Sequence, residues 1–314
     1  MTLVSIVIPV YYNAASLVAL HQRLEQLAQT ENGCAFEFIY VDDGSGDDSY
    51  AILRRLAQSD DRVRVIKLTR NFGSNTAILA GLAHARGQAQ AFIAADLQDP
   101  PEMLSEMLRR WENGAKVVLA VRRDRAGDPW GTRLFAGLFN WLFEKLVFPG
   151  HSPQGIGFFL VDRQVAQTLV QAEERNPHLT GLLLWTGFPS EQVTYDRLER
   201  PHGRSRWTFR KKFKFFIDAF AAFSYLPLRL ASALGFLLAF LGGLYALLVI
   251  ALRLFGAIPI QGWTALIVVV LLLSGMQLLI LGILGEYLWR TLDASRRRPL
   301  FIVEEVLQSD SPEA

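Results

Sequence analysis

Apolar and polar positions alternate along the first 122 residues in two rhythms. Short runs rich in β-branched residues fall at Val4–Val10, Phe36–Val41, Val63–Leu68, Ala91–Ala95 and Val117–Val121. Between them, apolar residues recur at helical spacing over Ala15–Gln29, Ser49–Gln58, Asn75–Ala85 and Glu102–Trp111. Strand and helix in strict alternation predict βαβ units, hence a mostly parallel sheet with helices on both faces. A further helix is predicted over residues 130–146, then a loop rich in Pro and Gly over 149–157 and a short strand at Phe158–Val161.

The C-terminal third follows a different pattern. Leu230–Leu252 and Leu254–Gly285 contain no Asp, Glu, Lys or Arg. Each is long enough to cross about 30 Å of hydrocarbon as a helix. The link between them, residues 256–262, is short and uncharged, whereas both outer flanks are basic: Arg204 to Lys214 before, Arg290 and Arg296 to Arg298 after. By the positive-inside rule both flanks, and the large N-terminal domain, lie in the cytoplasm. Arg253, at the far end of the first span, would reach the outer interface. Trp207 to Phe223 mixes Lys and Arg with Phe and Trp at helical spacing, as in an amphipathic helix lying among headgroups. The expected organisation is a catalytic domain over 1–203, a juxtamembrane helix over 204–226, a transmembrane hairpin over 227–291 and a cytoplasmic tail over 292–314.

Composition narrows the class. The chain has 314 residues, is 51% hydrophobic and has a mean hydropathy of +0.22. That is apolar for a soluble protein, and the excess lies in the last third. A net charge of +2 argues against a nucleic-acid-binding protein. The single cysteine, Cys34, rules out an internal disulfide and fits a reducing compartment. At the N-terminus no basic segment precedes a short apolar run, so Ser5–Val10 reads as a strand and not a signal peptide.

In parallel sheets ligands bind beyond the carboxyl ends of the strands. Here the first strand runs into Pro9-Val10-Tyr11-Tyr12-Asn13, the second into Asp42-Asp43-Gly44-Ser45 and the fourth into Asp96-Leu97-Gln98-Asp99-Pro100-Pro101. Carboxylates gathered there can hydrogen-bond a base or ribose, or hold a hard divalent cation that bridges phosphates. Any one of these segments alone would read as a turn or a helix cap.

These segments, with Arg70-Asn71-Phe72-Gly73 and Ala80-Gly81-Leu82, resemble glycosyltransferase family 2, and within it the polyprenyl-phosphate glycosyltransferases. Leu284-Gly285-Glu286-Tyr287-Leu288 resembles the bacterial branch with two spans. The resemblance covers nearly the whole chain. It implies an α/β GT-A (Rossmann-like) domain and inverting transfer from a nucleotide sugar, UDP-glucose first, to a membrane polyprenyl phosphate such as undecaprenyl phosphate. It implies Mg²⁺ or Mn²⁺ as cofactor, the bacterial plasma membrane as location, a product used in cell-envelope glycan modification, and a homo-oligomer, perhaps a tetramer.

Roles carry over position by position. Pro9, Tyr11, Asp42, Asp43 and Ala95 match the nucleotide site. Asp96 and Gln98 match the metal and diphosphate site. Arg122 matches an arginine near the phosphates and Arg133 one that receives the acceptor phosphate. Arg206 stands for the lysine of a Gly-x-Ser-Lys element, as a cation over the diphosphate. Arg122 and Arg133 also read as surface charges, and Arg204 to Lys214 as a patch for anionic lipid. The chain departs from the family at Ala94, where an Asp-x-Asp element has its first Asp. It departs again at Ala14, where Glu is common, and at Gly157-Phe158-Phe159-Leu160, where many bacterial members read Asp-Phe-Arg-Leu. Two other readings stand beside this one: an inactive membrane scaffold, which Ala94 suggests, and a processive polysaccharide synthase, for which two spans are too few. Leu300–Val306 is strand-like, and would pair either between subunits or within its own domain.

Overall fold

A computed structural model of the protein describes residues 1–31, 33–123, 137, 141, 156–172, 174, 177–198, 226–254 and 262–308. The chain divides into two units, Met1–Phe216 with Pro299–Ala314, and Ile217–Arg298.

The first unit is built on a sheet of eight strands, in the order β7-β5-β6-β4-β1-β2-β3-β8. They are β1 (Thr2–Val10), β2 (Cys34–Asp42), β3 (Val63–Leu68), β4 (Ala89–Phe92), β5 (Val117–Arg122), β6 (Ile156–Asp162), β7 (Ser190–Tyr195) and β8 (Val303–Gln308). β4, β1, β2 and β3 run parallel, as do β5 and β7, while β6 lies antiparallel between β4 and β5. β1 is buried on both faces: Val4, Ile6, Val7, Ile8 and Val10 are all at or below 1% exposure. That is why it reads as a continuous apolar run and not as an alternation.

One face packs on α1 (Ala14–Thr30), α2 (Ser49–Ser59) and α4 (Met103–Glu112) through Leu17, Leu20, Leu24, Leu53, Leu104 and Met107. The other carries α3 (Ser74–His84) against β1 and β2, with α5 (Arg163–Gln171) beside it, followed by α6 (Leu179–Trp185). Gly81 allows α3 its close approach, since a Cβ there would overlap Val7 Cγ1 and meet Val41 Cγ2 at 3.2 Å. Gly81→Ala is therefore expected to destabilise this unit by about 1–3 kcal/mol, the usual range for overpacking, read as a lower melting midpoint.

Among the described residues the expected strands and helices are present, with three differences. β4 ends at Phe92 instead of Ala95, because the chain leaves the sheet to form the turn that follows. β7 was not anticipated: it is an edge strand in which only Val193 and Tyr195 are buried. The C-terminal strand is β8, which pairs antiparallel with β3 of its own chain. Lys67 Nζ bonds Glu304 at 2.8 Å and the Tyr50 hydroxyl donates to Glu305 at 2.5 Å, fixing that register.

The second unit contains α7 (Leu226–Leu254) and α8 (Trp263–Ser295), of 29 and 33 residues. At 1.5 Å per residue they extend about 43 and 50 Å, more than the ~30 Å of a bilayer core. Large apolar side chains lie exposed along both, among them Phe236, Leu272, Leu278 and Leu288. By length and composition both helices can cross a membrane. The expected juxtamembrane helix, nearly all of the expected helix over 130–146 and most of the 149–157 loop lie outside the described residues.

Candidate active site

Because β1, β2, β4, β5 and β7 share one direction, their carboxyl ends open on the same edge of the sheet, and antiparallel β6 begins there. The ends of β1 and β2 are laced together. Asp43 N–H donates to the Val10 carbonyl at 2.9 Å, Tyr12 N–H to Ser45 Oγ at 3.1 Å and Asn13 N–H to Ser49 Oγ at 3.0 Å. Tyr11 N–H donates to Asn13 Oδ1 at 3.0 Å. The rings of Tyr11 and Tyr12 meet edge to face at 4.7 Å. Tyr12 holds a left-handed backbone (φ 57°), an uncommon state for a bulky residue.

The two aspartates at the end of β2 are both buried and do different things. Asp43 accepts the backbone N–H of Phe72 at 2.7 Å on one oxygen and that of Gly73 at 2.9 Å on the other. It thereby clamps the loop after β3. Burial pushes its carboxyl up to about 6, with the Asp42 charge adding to the rise and the two amides and Arg70 opposing it. Gly44 (φ 72°) completes the clamp, since a Cβ there would sit 2.8 Å from backbone atoms of Arg70 and Asn71. Asp42 accepts from Ser45 N–H at 3.3 Å on Oδ1, while its buried Oδ2 has no partner among the described residues. Burial raises its carboxyl above the usual range as well.

The turn after β4 carries the second group. Leu97 is left-handed (φ 61°), and Gln98 N–H closes onto Asp96 Oδ1 at 3.2 Å. Arg197 Nη2 donates to Gln98 Oε1 at 2.7 Å, and Gln98 Nε2 donates to the Leu198 carbonyl at 3.3 Å. Asp99, 3% exposed, accepts the Tyr195 hydroxyl at 2.5 Å. Burial raises its carboxyl against the pull of Tyr195, Arg197 and Arg122. Burial lowers the Arg197 guanidinium, and the Arg122 charge beside it lowers it further. The buried Nε atoms of both arginines have no hydrogen-bond partner among the described residues.

The sequence-expected residues therefore fall into two groups on either side of the β1 terminus. Pro9, Tyr11, Asp42 and Asp43 lie at the β1 and β2 ends, and Asp96, Gln98 and Arg122 at the β4 and β5 ends. Ala95 gives its carbonyl to Ser16 Oγ at 2.6 Å, which ties the turn to α1. Arg133 and Arg206 lie outside the described residues. Tyr195 and Arg197 were not expected at the site, and Asp99 was noted only as part of its strand end. The only local signal for Tyr195 is the alternation Gln192-Val193-Thr194-Tyr195 after a Gly-Phe-Pro turn, and it does not reach Arg197.

A group of side chains that could ligate a metal occurs elsewhere, at His21, Glu25 and Asp60. It flanks the amino end of β3, opposite the carboxyl edge, and Arg62 already bonds Asp60 there through Nε at 2.9 Å and Nη2 at 2.8 Å.

Comparison with known proteins shows what the chain is similar to. The model of the family described as glycosyl transferase family 2 matches residues 5–168. The chain is 40% identical over 302 residues to a Bacillus subtilis protein described as the uncharacterized glycosyltransferase YkcC, covering 96% of this chain and 93% of that one. It is 34% identical over 306 residues to the bactoprenol glucosyl transferase of Shigella phage SfV, covering 97% and 99%. Among solved structures, mannosyl-3-phosphoglycerate synthase from Rubrobacter xylanophilus superposes with a TM-score of 0.51 at 19% identity, over 70% of this chain and 73% of that one. That similarity is one of fold.

Proposed function

The chain belongs to glycosyl transferase family 2, and from that premise we propose that it moves a hexose, glucose first, from a UDP-sugar to undecaprenyl phosphate at the cytoplasmic face of a bacterial plasma membrane. The observation that carries this reading is the extent of the similarity to a bactoprenol glucosyl transferase, 97% of this chain and 99% of that one, which takes in both apolar helices. A sugar nucleotide dissolved in water and an acceptor confined to lipid would meet on a GT-A domain tied to such a hairpin.

The site's groups suit the reaction. The acceptor is a phosphate monoester whose second pKa is about 6, so at neutral pH it is a ready nucleophile and needs no strong base. One of its oxygens bonds the anomeric carbon on the face opposite the leaving group. The bond from that carbon to the β-phosphate oxygen breaks, and nucleoside diphosphate departs with the electron pair. The protein positions the reactants and neutralises the growing charge. Asp42, with one buried oxygen unpartnered among the described residues, is suited to hold the nucleoside. Arg122 stands on the diphosphate side, with Arg206 in the same role and Arg133 on the acceptor phosphate. Asp96, half-buried in the turn after β4, is the carboxylate suited to Mg²⁺ or Mn²⁺, and Ala94 offers no second one. The ion would supply charge neutralisation at the departing diphosphate.

A transfer assay tests the reading. The full chain in detergent is given undecaprenyl phosphate, Mn²⁺ and a panel of radiolabelled nucleotide sugars, and label is counted in the organic phase. Lipid-soluble label from UDP-glucose is the expected result. Label from a different donor corrects the sugar, and none from any donor overturns the proposal.

A further inference from the structure

We propose that Arg197 is a positioning residue of the donor site, acting through Gln98 to hold the Asp96–Gln98 turn in the conformation that receives a nucleoside diphosphate. This rests on the glycosyltransferase reading above. Three hydrogen bonds join the turn to the chain leaving β7, about a hundred residues away in sequence. Arg197 Nη2 takes Gln98 Oε1 at 2.7 Å, Gln98 Nε2 takes the Leu198 carbonyl at 3.3 Å, and Leu198 N–H takes the Gln98 carbonyl at 2.9 Å. Both ends of the Gln98 amide are thus used inside the protein.

The turn needs such a latch. Leu97 sits at φ 61°, a state that persists only where the surroundings over-determine it. Arg197 is itself anchored. Asp99 lies beside it, fully buried and fixed by the Tyr195 hydroxyl at 2.5 Å. Gly157 lets that hydroxyl in, since a Cβ there would overlap it. The latch also bears on Gln98. An oxygen already bonded to a guanidinium is a poor ligand for a divalent cation, which would share it with a positive charge. Gln98 then acts as a latch, and Asp96 is left as the turn's metal-binding side chain.

A double-mutant cycle on the full-length protein in detergent separates the two roles. Binding of UDP with Mn²⁺, and of GDP with Mn²⁺ as a second probe, is measured by calorimetry for wild type, Arg197→Ala, Gln98→Ala and the double variant. Melting midpoints are taken alongside. Each single change is expected to weaken binding about tenfold, and the double variant no further, because both remove the same latch. Arg197→Lys recovers part of the loss, having a charge without the planar fork. A double variant weakened about a hundredfold, the product of two independent losses, overturns the proposal and returns Gln98 to the metal. Wild-type binding in Arg197→Ala overturns it too. Wild-type protein that binds neither nucleotide removes the donor-site reading itself and takes the latch with it.

Discussion

Replacing Asp96 with alanine is expected to cut sugar transfer by about a thousandfold or more while leaving the melting midpoint nearly unchanged. The size follows from the absence of a substitute among the described residues of the same turn. A carboxylate that holds a cation over a developing diphosphate contributes several kcal/mol to the transition state, and each 1.4 kcal/mol is tenfold. Of the two other side chains that might replace it, Asp99 is buried and committed to Tyr195, and Ala94 has no ligand atom. The small structural cost follows from exposure: Asp96 is half-buried, and its Oδ1 accepts the Gln98 amide N–H within the same turn. The check is label in the organic phase against a thermal melt of the same preparation. Activity within tenfold of wild type would mean that Asp96 does not carry the ion.

Much of this fold is written in the apolar runs. β1, β2 and β5 are buried along nearly their whole length, so burial demands runs rich in Val, Ile and Phe, and such runs are visible without a structure. Their polar termini were equally visible, since polar segments recur after several strands whose carboxyl ends share one edge of the sheet. β7 was hidden because an edge strand buries two side chains and leaves the others wet. Arg197 was hidden for a different reason: its partner is Gln98, and no local pattern links residues that follow two separate strands. Asp42 and Asp43 show the limit most clearly. Adjacent and alike in sequence, they look interchangeable, yet one spends both oxygens on backbone amides and the other keeps one without a partner among the described residues. Backbone partners leave no mark in the sequence, so which aspartate was the clamp could not be read there.

That clamp sets up the second large effect, a divergence of stability and donor binding between pH 7 and pH 4. The Asp43 carboxyl titrates at about 6 in the folded protein, against an ordinary 3.8. The folded state therefore binds a proton where the unfolded chain does not. Stability from this group is complete below about pH 4 and is lost as pH rises through 6, by an amount of at most about 3 kcal/mol. The clamp runs the other way. The amides of Phe72 and Gly73 each need an acceptor oxygen, and protonation turns one of the two into a hydroxyl. Acidification through pH 6 should then loosen the loop after β3 and weaken UDP binding about tenfold, the worth of one hydrogen bond to a charged group. Asp43→Asn isolates the effect, because it is neutral throughout and presents an NH₂ to one amide at every pH. Its UDP binding should be weak at pH 7 and should not fall further by pH 5. The gap in unfolding free energy between wild type and Asp43→Asn, from denaturant melts at each pH, should shift in favour of wild type as pH falls, with the steepest change between 6 and 4. Because both proteins share every other carboxylate, the ordinary acid loss of stability cancels from that difference. A gap that stays flat with pH would mean that Asp43 titrates like a surface acid, and binding that holds to pH 5 would mean that the Asp43 clamp does not bear on the donor site.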